Sequence, residues 1–344
     1  MPGALSSPQS SQPEVRRAAR PASVRTDRAR NAPRSEIAKH PDAACAEITA
    51  SLTASRAWLS PKFFYDQLGS RLFDAITALP EYYPTRVEAE ILEAHQHDIA
   101  RRIGERPVMI DLGAGNCQKA ARLFPVLRPA QYVPVDISVG YLRDTLAGLQ
   151  CQFPDIAMLA VGADLSTPFD FPSTVGRANR LFFYPGSSIG NFTPIEALAL
   201  LQRMRAASER GDGVLIGVDL LKPVETLEDA YDDPLGVTAA FNLNILRHVN
   251  CLAGADFEVQ DWQHIALFNA AHNRIEMHLQ ARRDVTVTWS GGSRRFLHGE
   301  RIHTESSYKY REEDFALLLE QAGFDDICVW HDRQDAFAVF HARG

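Results

Sequence analysis

Three short stretches of this chain place glycines and acids where a parallel sheet would hold a nucleoside. Ile110-Asp-Leu-Gly-Ala-Gly115 reads as a buried strand running into a glycine turn and then a helix. Such a turn lets a ligand approach the backbone, and a helix N-terminus favours negative charge; Gly113 and Lys119 belong to this segment. A second predicted strand ends at Asp136, 21 residues beyond Gly115, where an acid accepts hydrogen bonds from ribose hydroxyls. A third ends at Asp164-Leu165, where an adenine amino group would lie. Singly, each acid reads as a helix cap; together with the glycine turn they read as a cofactor site. The third glycine of the pyrophosphate fingerprint is missing, since position 116 is Asn and 118 is Gln. That disfavours a nicotinamide dinucleotide and suits S-adenosylmethionine, which has no pyrophosphate to cradle. A fourth segment, Phe183-Tyr-Pro-Gly-Ser-Ser-Ile-Gly-Asn191, is a small-residue loop at a strand end. There the backbone can approach a second ligand, and Asn191 offers a donor and an acceptor, which suits an amine. Eleven histidines are scattered with no HExxH spacing, so a zinc enzyme is disfavoured.

The elements that must position these residues follow from periodicity. Strands are expected at Val108–Leu112, Tyr132–Asp136, Ile156–Val161, Arg180–Tyr184 and Val214–Asp219, with helices over Gly140–Leu149 and Pro194–Glu209. This alternation predicts an α/β fold, a doubly wound parallel sheet covered on both faces. Glu312–Ala322 reads as a helix ending at Gly323, followed by strands at Ile327–Trp330 and Phe337–Ala342. Between 223 and 308 the period changes to two, as in Ile275, Met277 and Leu279, and again in Val285, Val287 and Trp289. That segment reads as a smaller α+β insertion built on antiparallel sheet. Near the N-terminus a polar helix is expected over 44–56 and another from Arg71 to Leu79. Pro80 and Pro84 should break the chain, and Thr85 with Glu88 reads as a capping box for a helix to about Ile103.

Composition bounds the rest. The chain has 344 residues, 45% hydrophobic, with net charge −7, which argues against a nucleic-acid surface. No run of about 18 apolar residues exists, so no membrane-spanning helix is expected. Five cysteines at 45, 117, 151, 251 and 328 form no CxxC pair, which favours reduced thiols and a cytoplasmic location. Seven Arg and one Lys against three acids give residues 1–40 a net +5, and the segment has no aromatic residue. It reads as a disordered leader, with an organelle transit peptide as the alternative. The resulting division is a leader over 1–41, the N-terminal part of a substrate-binding domain over 42–87, a core over 88–222, the insertion over 223–308, and completion of the core over 309–344.

Seven blocks, several of them seven or eight residues long, then carry a resemblance. They are Phe64-Tyr-Asp66 with Gly69-Ser70; Leu79-Pro-Glu-Tyr-Tyr-Pro-Thr-Arg86; Gly186-Ser-Ser-Ile-Gly-Asn-Phe192; Ala230-Tyr-Asp-Asp233; Gly236-Val-Thr-Ala-Ala-Phe-Asn242; Arg274-Ile-Glu-Met277; and Thr304-Glu-Ser-Ser307. In this order, over about 42–344, the chain resembles the L-histidine Nα-methyltransferases of ergothioneine biosynthesis. The resemblance implies a class I S-adenosylmethionine-dependent methyltransferase core with a smaller substrate-binding domain. It implies trimethylation of the α-amino group of L-histidine to hercynine, with S-adenosylhomocysteine as the other product. By the same resemblance Tyr82 and Asn191 hold the amine end, and Tyr231 takes the carboxylate with Asn191 nearby. Glu305 accepts from an imidazole N–H, Ser307 supports the ring, and Tyr65 and Met277 line the imidazole end. Gly186 and Ser306 are carried over with their blocks. Gly113, Lys119, Asp136, Asp164 and Leu165 occupy the family's cofactor positions.

Alternatives stand beside this. Met277 reads equally as plain core, and Tyr83 is expected to be a packing aromatic. No residue is named as general base, with Tyr82 and solvent as candidates. The partners implied are L-histidine and its mono- and dimethyl forms, with no nucleic acid and no membrane, acting on a monomer. A sister N-methyltransferase for a tryptophan derivative and a non-catalytic sensing module are the rival functions. The departures are Gly113-Ala-Gly115 in place of the family's frequent Gly-Ser-Gly, Cys117 beside it, and Pro185 before the loop.

Overall fold

The computed structural model describes residues 41–344 apart from positions 138 and 166, together with Gly3. The leader reading therefore lies outside the described residues, except for Gly3 and Pro41, which starts a helix. The large sheet contains β1 (Val108–Leu112), β2 (Gln131–Asp136), β3 (Ala157–Met158), β4 (Val161–Gly162), β5 (Arg180–Tyr184), β6 (Gly213–Asp219), β12 (Asp325–His331) and β13 (Phe337–Arg343); β7 to β11 lie elsewhere. Its order is β12-β13-β6-β5-β1-β2-β3, with β4 also on β2. The strands β6, β5, β1 and β2 run parallel, and β13 and β12 close the edge antiparallel. Side chains alternate between two apolar layers. Met109, Tyr132, Leu181 and Leu215 enter one, and Ile110, Val133, Phe182 and Val214 enter the other. The chain leaves β1 towards β2 and returns on the other side as β5. A crevice therefore opens at the carboxyl ends of β1 and β5, where such sheets bind ligands.

The third expected strand is broken. Ala157–Met158 and Val161–Gly162 pair separately with β2. The gap faces Pro134. Tyr132 O accepts from Leu159 N at 3.0 Å, so alternate β2 residues point their backbone at this neighbour. Pro134 is the next of them and has no N–H to give.

A second core joins segments far apart in sequence. Leu52, Phe63, Phe64 and Leu79 pack with Phe241, Ile245, Trp262, Leu279 and Phe296. At its centre is the helix Val237–Ala253, which lies against Pro41–Thr53, Pro61–Phe64 and Gln67–Ile76; Phe64 and Phe241 stack at 4.6 Å. Two antiparallel sheets complete it. One is ordered β11 (Arg301–Tyr308), β8 (Arg274–Ala281), β7 (Trp262–Asn269); the other is the hairpin of β9 (Val285–Trp289) and β10 (Gly292–Phe296). The period-two residues Ile275, Met277 and Leu279 are buried, as are Val285, Val287 and Trp289.

The helix boundaries differ from expectation where side chains do other work. The first runs Pro41–Thr53 and the next Gln67–Ile76, capped by Asp66, whose carboxylate accepts from Gly69 N at 2.6 Å. The long helix runs Tyr83–Ile103 with Pro84 in its first turn, where a missing N–H costs nothing. Thr85 is thus not its cap, and Glu88 closes no capping box. Gly190, in the turn Ser188–Asn191, lies directly against β11, and a Cβ there would sit 2.7 Å from the Tyr308 carbonyl oxygen. Gly190→Ala must push that turn off β11 and should cost about 1–3 kcal/mol through overpacking. A thermal unfolding midpoint equal to wild type would contradict this contact.

Candidate active site

The cofactor crevice is built by the turn after β1. Gly113 and Gly115 have φ of +67° and +50°, a region open to glycine at little cost. Gly113 N and Ala114 N both donate to Val135 O, and Gly115 N donates to an Asp136 carboxylate oxygen at 3.2 Å. The turn is thus pinned to the end of β2. Asn116, next after Gly115, donates to Asp74 on the helix Gln67–Ile76 at 3.0 Å. Cys117 adopts a left-handed conformation ahead of the short helix Gln118–Ala121, and burial pushes its thiol up to about 12. Asp111 is buried. Tyr132 donates to one of its oxygens at 2.6 Å, while the other, also buried, has no partner. Burial pushes this carboxyl up to about 7, against the Tyr132 bond and the Lys119 charge. Asp164 follows β4, 3.9 Å from Lys62, and the Leu165 carbonyl accepts from Arg203. An orphaned acceptor, an unobstructed glycine turn and acids at successive strand ends fit S-adenosylmethionine.

Beside this crevice lies a cleft whose walls mix aromatic, amide, hydroxyl and carboxylate side chains. Tyr65, Tyr82, Gly186, Asn191, Tyr231, Met277, Glu305 and Ser307 all line it. Eight of the nine residues carried over for the substrate therefore converge. Ser306 does not: its hydroxyl meets His303 Nε2 at 3.0 Å. The cause is a bulge in β11. His303 pairs with His278, but Glu305 pairs with Met277, so Thr304 is the extra residue. His303 and Ser306 then share one face, and Glu305 and Ser307 turn to the cleft. Thr304 Oγ1 anchors the bulge on Asn242 Oδ1 and the Met277 carbonyl, at 2.8 and 3.0 Å.

The cleft walls are aromatic, with Phe73 edge-on to Tyr82 and Tyr82 edge-on to Tyr231 at 6.2 Å each. Burial raises the phenols of Tyr65, Tyr82 and Tyr231 well above their ordinary value. They remain protonated, so Tyr82 offers a hydroxyl and not a phenolate. Burial pushes Glu305 up to about 7, with the Lys309 ammonium pulling the other way.

Two buried carboxylates that are not among the expected site residues, Glu88 and Asp219, hold the segments around the cleft. Glu88 accepts from Gly186 N at 2.6 Å and pairs with Lys119 Nζ at 2.8 Å, so one side chain holds the small-residue loop after β5 and Lys119 together. Gly217 on β6 makes room for it, since a Cβ there would meet Glu88 at 2.0 Å. Asp219, at the end of β6, accepts from Tyr83 Oη at 2.8 Å and pairs with Lys222 and Lys309. Tyr83 is therefore a hydrogen-bonding member of this cluster and not only a packing ring.

The model of a family described as histidine-specific, S-adenosylmethionine-dependent methyltransferases matches residues 44–344. The histidine N-alpha-methyltransferase of Mycolicibacterium smegmatis is 38% identical, covering 85% of this chain and 92% of its own. That of Mycobacterium tuberculosis matches equally, at 38% with the same coverage. Ergothioneine biosynthesis protein 1 of Neurospora crassa is 31% identical over 77% of this chain and 31% of its own. Among solved structures, the sugar N-methyltransferase of a Streptoalloteichus species aligns with a TM-score of 0.45 at 14% identity, covering 79% of this chain and 92% of that one.

The shared carboxylate makes a prediction. Glu88→Ala should lower the unfolding midpoint, since the buried Gly186 N–H loses its acceptor at a cost of about 1–3 kcal/mol, and should weaken binding of S-adenosylhomocysteine by releasing Lys119. Glu88→Gln, which keeps an acceptor for Gly186, should recover the first and not the second. Calorimetric titration beside thermal unfolding separates the two.

Proposed function

The chain belongs to the family of histidine-specific, S-adenosylmethionine-dependent methyltransferases, and we infer that it methylates the α-amino group of L-histidine, three times, to hercynine, the first step of ergothioneine biosynthesis. Its doubly wound sheet is a class I methyltransferase core. The observation that carries the substrate reading is the convergence of Tyr82, Asn191, Tyr231, Glu305 and Ser307 on one cleft beside the cofactor crevice. In this reading the core made from 44–83 and 227–302 is the substrate-binding domain. The five cysteines are free thiols in the structure, which supports the cytoplasmic location.

When bound, S-adenosylmethionine supplies a methyl group on an activated sulfonium. The work left to the protein is orientation and a neutral nucleophile. Gly113, Lys119, Asp136, Asp164 and Leu165 hold the cofactor. Tyr82 and Asn191 hold the amine. Tyr231 takes the carboxylate, Glu305 accepts from the imidazole N–H, Ser307 supports the ring, and Tyr65 and Met277 line that end. The proton leaving the amine before each transfer passes to solvent or through the Tyr82 oxygen, since the Tyr82 phenol stays protonated. As methyls accumulate, the cationic nitrogen gains cation–π attraction from the Tyr82 and Tyr231 rings, worth about 0.5–2 kcal/mol.

Glu305 sets the pH response. Burial raises its carboxyl to about 7, so below neutrality it is protonated and no longer accepts from an N–H as an anion. The specificity constant for histidine should rise with pH through about 7. Glu305→Gln should flatten that limb and lower the plateau by about 1–3 kcal/mol of transition-state binding. Mass spectrometry of L-histidine, L-tryptophan and L-tyrosine, each incubated with the enzyme and S-adenosylmethionine, tests the function itself. A gain of three methyls on histidine alone is expected; transfer to tryptophan alone would overturn the substrate reading. Tyr82→Phe should change the ratio of mono-, di- and trimethyl products while the protein stays folded.

A further inference from the structure

Lys309 lies one residue beyond β11, and its side chain is fully buried. A buried ammonium is costly unless paired, and this one pairs with Asp219 at 2.7 Å. Asp219 does not need it. Lys222 approaches the same carboxylate at 2.5 Å and the Tyr83 hydroxyl donates to both its oxygens at 2.8 Å. One carboxylate thus faces two ammoniums, and the second is surplus to neutralising the acid.

Hydrogen-bond counting shows where the surplus cation points. An ammonium has three donors and no acceptor. Lys309 directs them to Asp219 Oδ2, to Ser307 Oγ at 2.9 Å and to Tyr231 Oη at 3.2 Å. Tyr231 Oη and Ser307 Oγ are themselves 2.8 Å apart, with Tyr231 donating. A hydroxyl has one donor and two acceptor positions. Ser307 therefore accepts from both Lys309 and Tyr231, and its own O–H has only the cleft to turn to. If a ligand draws the Tyr231 proton instead, Ser307 donates to Tyr231 and the Tyr231 O–H turns outward.

We propose that Lys309 is a positioning residue for the substrate: by occupying an acceptor side of both Tyr231 and Ser307 it leaves one hydroxyl donor of that pair directed into the cleft. This rests on histidine being the substrate. With Tyr231 turned to the carboxylate, Ser307 donates to Tyr231 and Lys309 holds both oxygens in place. Lys309 also follows Glu305 on the same side of the chain, opposite Tyr231, Tyr65 and Tyr82 from the other walls, and among the described residues its ammonium is the charge that pulls against the burial of that carboxylate.

Two measurements test this. In Lys309→Met, Asp219 keeps Lys222 and Tyr83, so the fold and binding of S-adenosylhomocysteine should survive. The specificity constant for histidine should fall roughly 10–100-fold, the worth of one hydrogen bond to a charged group, mostly through KM. The Glu305 limb of its pH profile should move to higher pH, since the opposing cation is gone; the ionisations of free histidine are common to both profiles. A constant within twofold of wild type, or an unmoved limb, overturns the proposal. The second measurement is calorimetric titration of L-histidine in the presence of S-adenosylhomocysteine, beside mass spectrometry of methyl transfer. Binding and transfer unchanged in Lys309→Met overturn the role of Lys309 and leave the function standing. Failure of histidine to bind wild type, with no methyl transfer to it, overturns the substrate reading and this inference with it.

Discussion

The carboxylate of Asp219 is the point on which the two halves of the molecule depend. It ends the central strand β6, fully buried, and no apolar side chain could replace it without stranding three donors. Tyr83, from the entry of the long helix, reaches it across 136 residues, and Lys309, from the end of β11, reaches it from the second core. Its own N–H donates to Ser187 Oγ in the glycine loop at 2.9 Å. Burial works against its ionisation, but Lys309 and Lys222 outweigh that and hold the carboxyl below its usual range. Removing the carboxylate would leave two buried ammoniums uncompensated, which is far more costly than never having built the cluster.

Glu88 repeats the device on the cofactor side. Asp219 fixes the substrate loop from the β6 end, and Glu88 fixes it through Gly186 while holding Lys119. The loop is thereby held at two adjacent residues, Gly186 by the Glu88 carboxylate and Ser187 by the Asp219 backbone N–H, and methyl transfer depends on that spacing. A displacement of about 1 Å in such a geometry costs on the order of 100-fold in rate. The chemistry asks little of the protein beyond orientation, and the structure invests its most expensive interactions in orientation.

Much of this was legible in the residues. Period-two and strand–helix alternation locate the strands, because apolar burial on a pleated sheet leaves a direct mark on sequence. The glycine turn and strand-end acids are local, and so are visible. The rest arises from contacts between distant segments. Glu88 imitates a capping box in its spacing from Thr85, yet its carboxylate bonds residues 31 and 98 positions away. Tyr83 reads as packing until Asp219 is placed beside it. Pro134 breaks the third strand only because its backbone faces that neighbour and not β1. Ser306 sits in a block with Glu305 and Ser307, and nothing in the block reveals that the Thr304 bulge turns it to the opposite face.

That bulge decides what β11 presents. A strand repeats its facing every two residues, about 6.6–6.8 Å, so Glu305, Ser307 and Lys309 form a row of acceptor, donor and cation on one side. In a strand without the extra residue, His303 would share that side with them. With it, His303 and Ser306 are paired away from the cleft, and the row begins with the carboxylate opposite Met277. In the proposed reading that row suits a zwitterionic amino acid with an N–H at its far end. Its order cannot be changed by a single substitution, only by moving the register, and the register is held by Thr304 on Asn242 and Met277. Specificity in this cleft is therefore a property of strand pairing as much as of side-chain identity: the same residues one position out of step would turn the carboxylate and the hydroxyl away from the ligand.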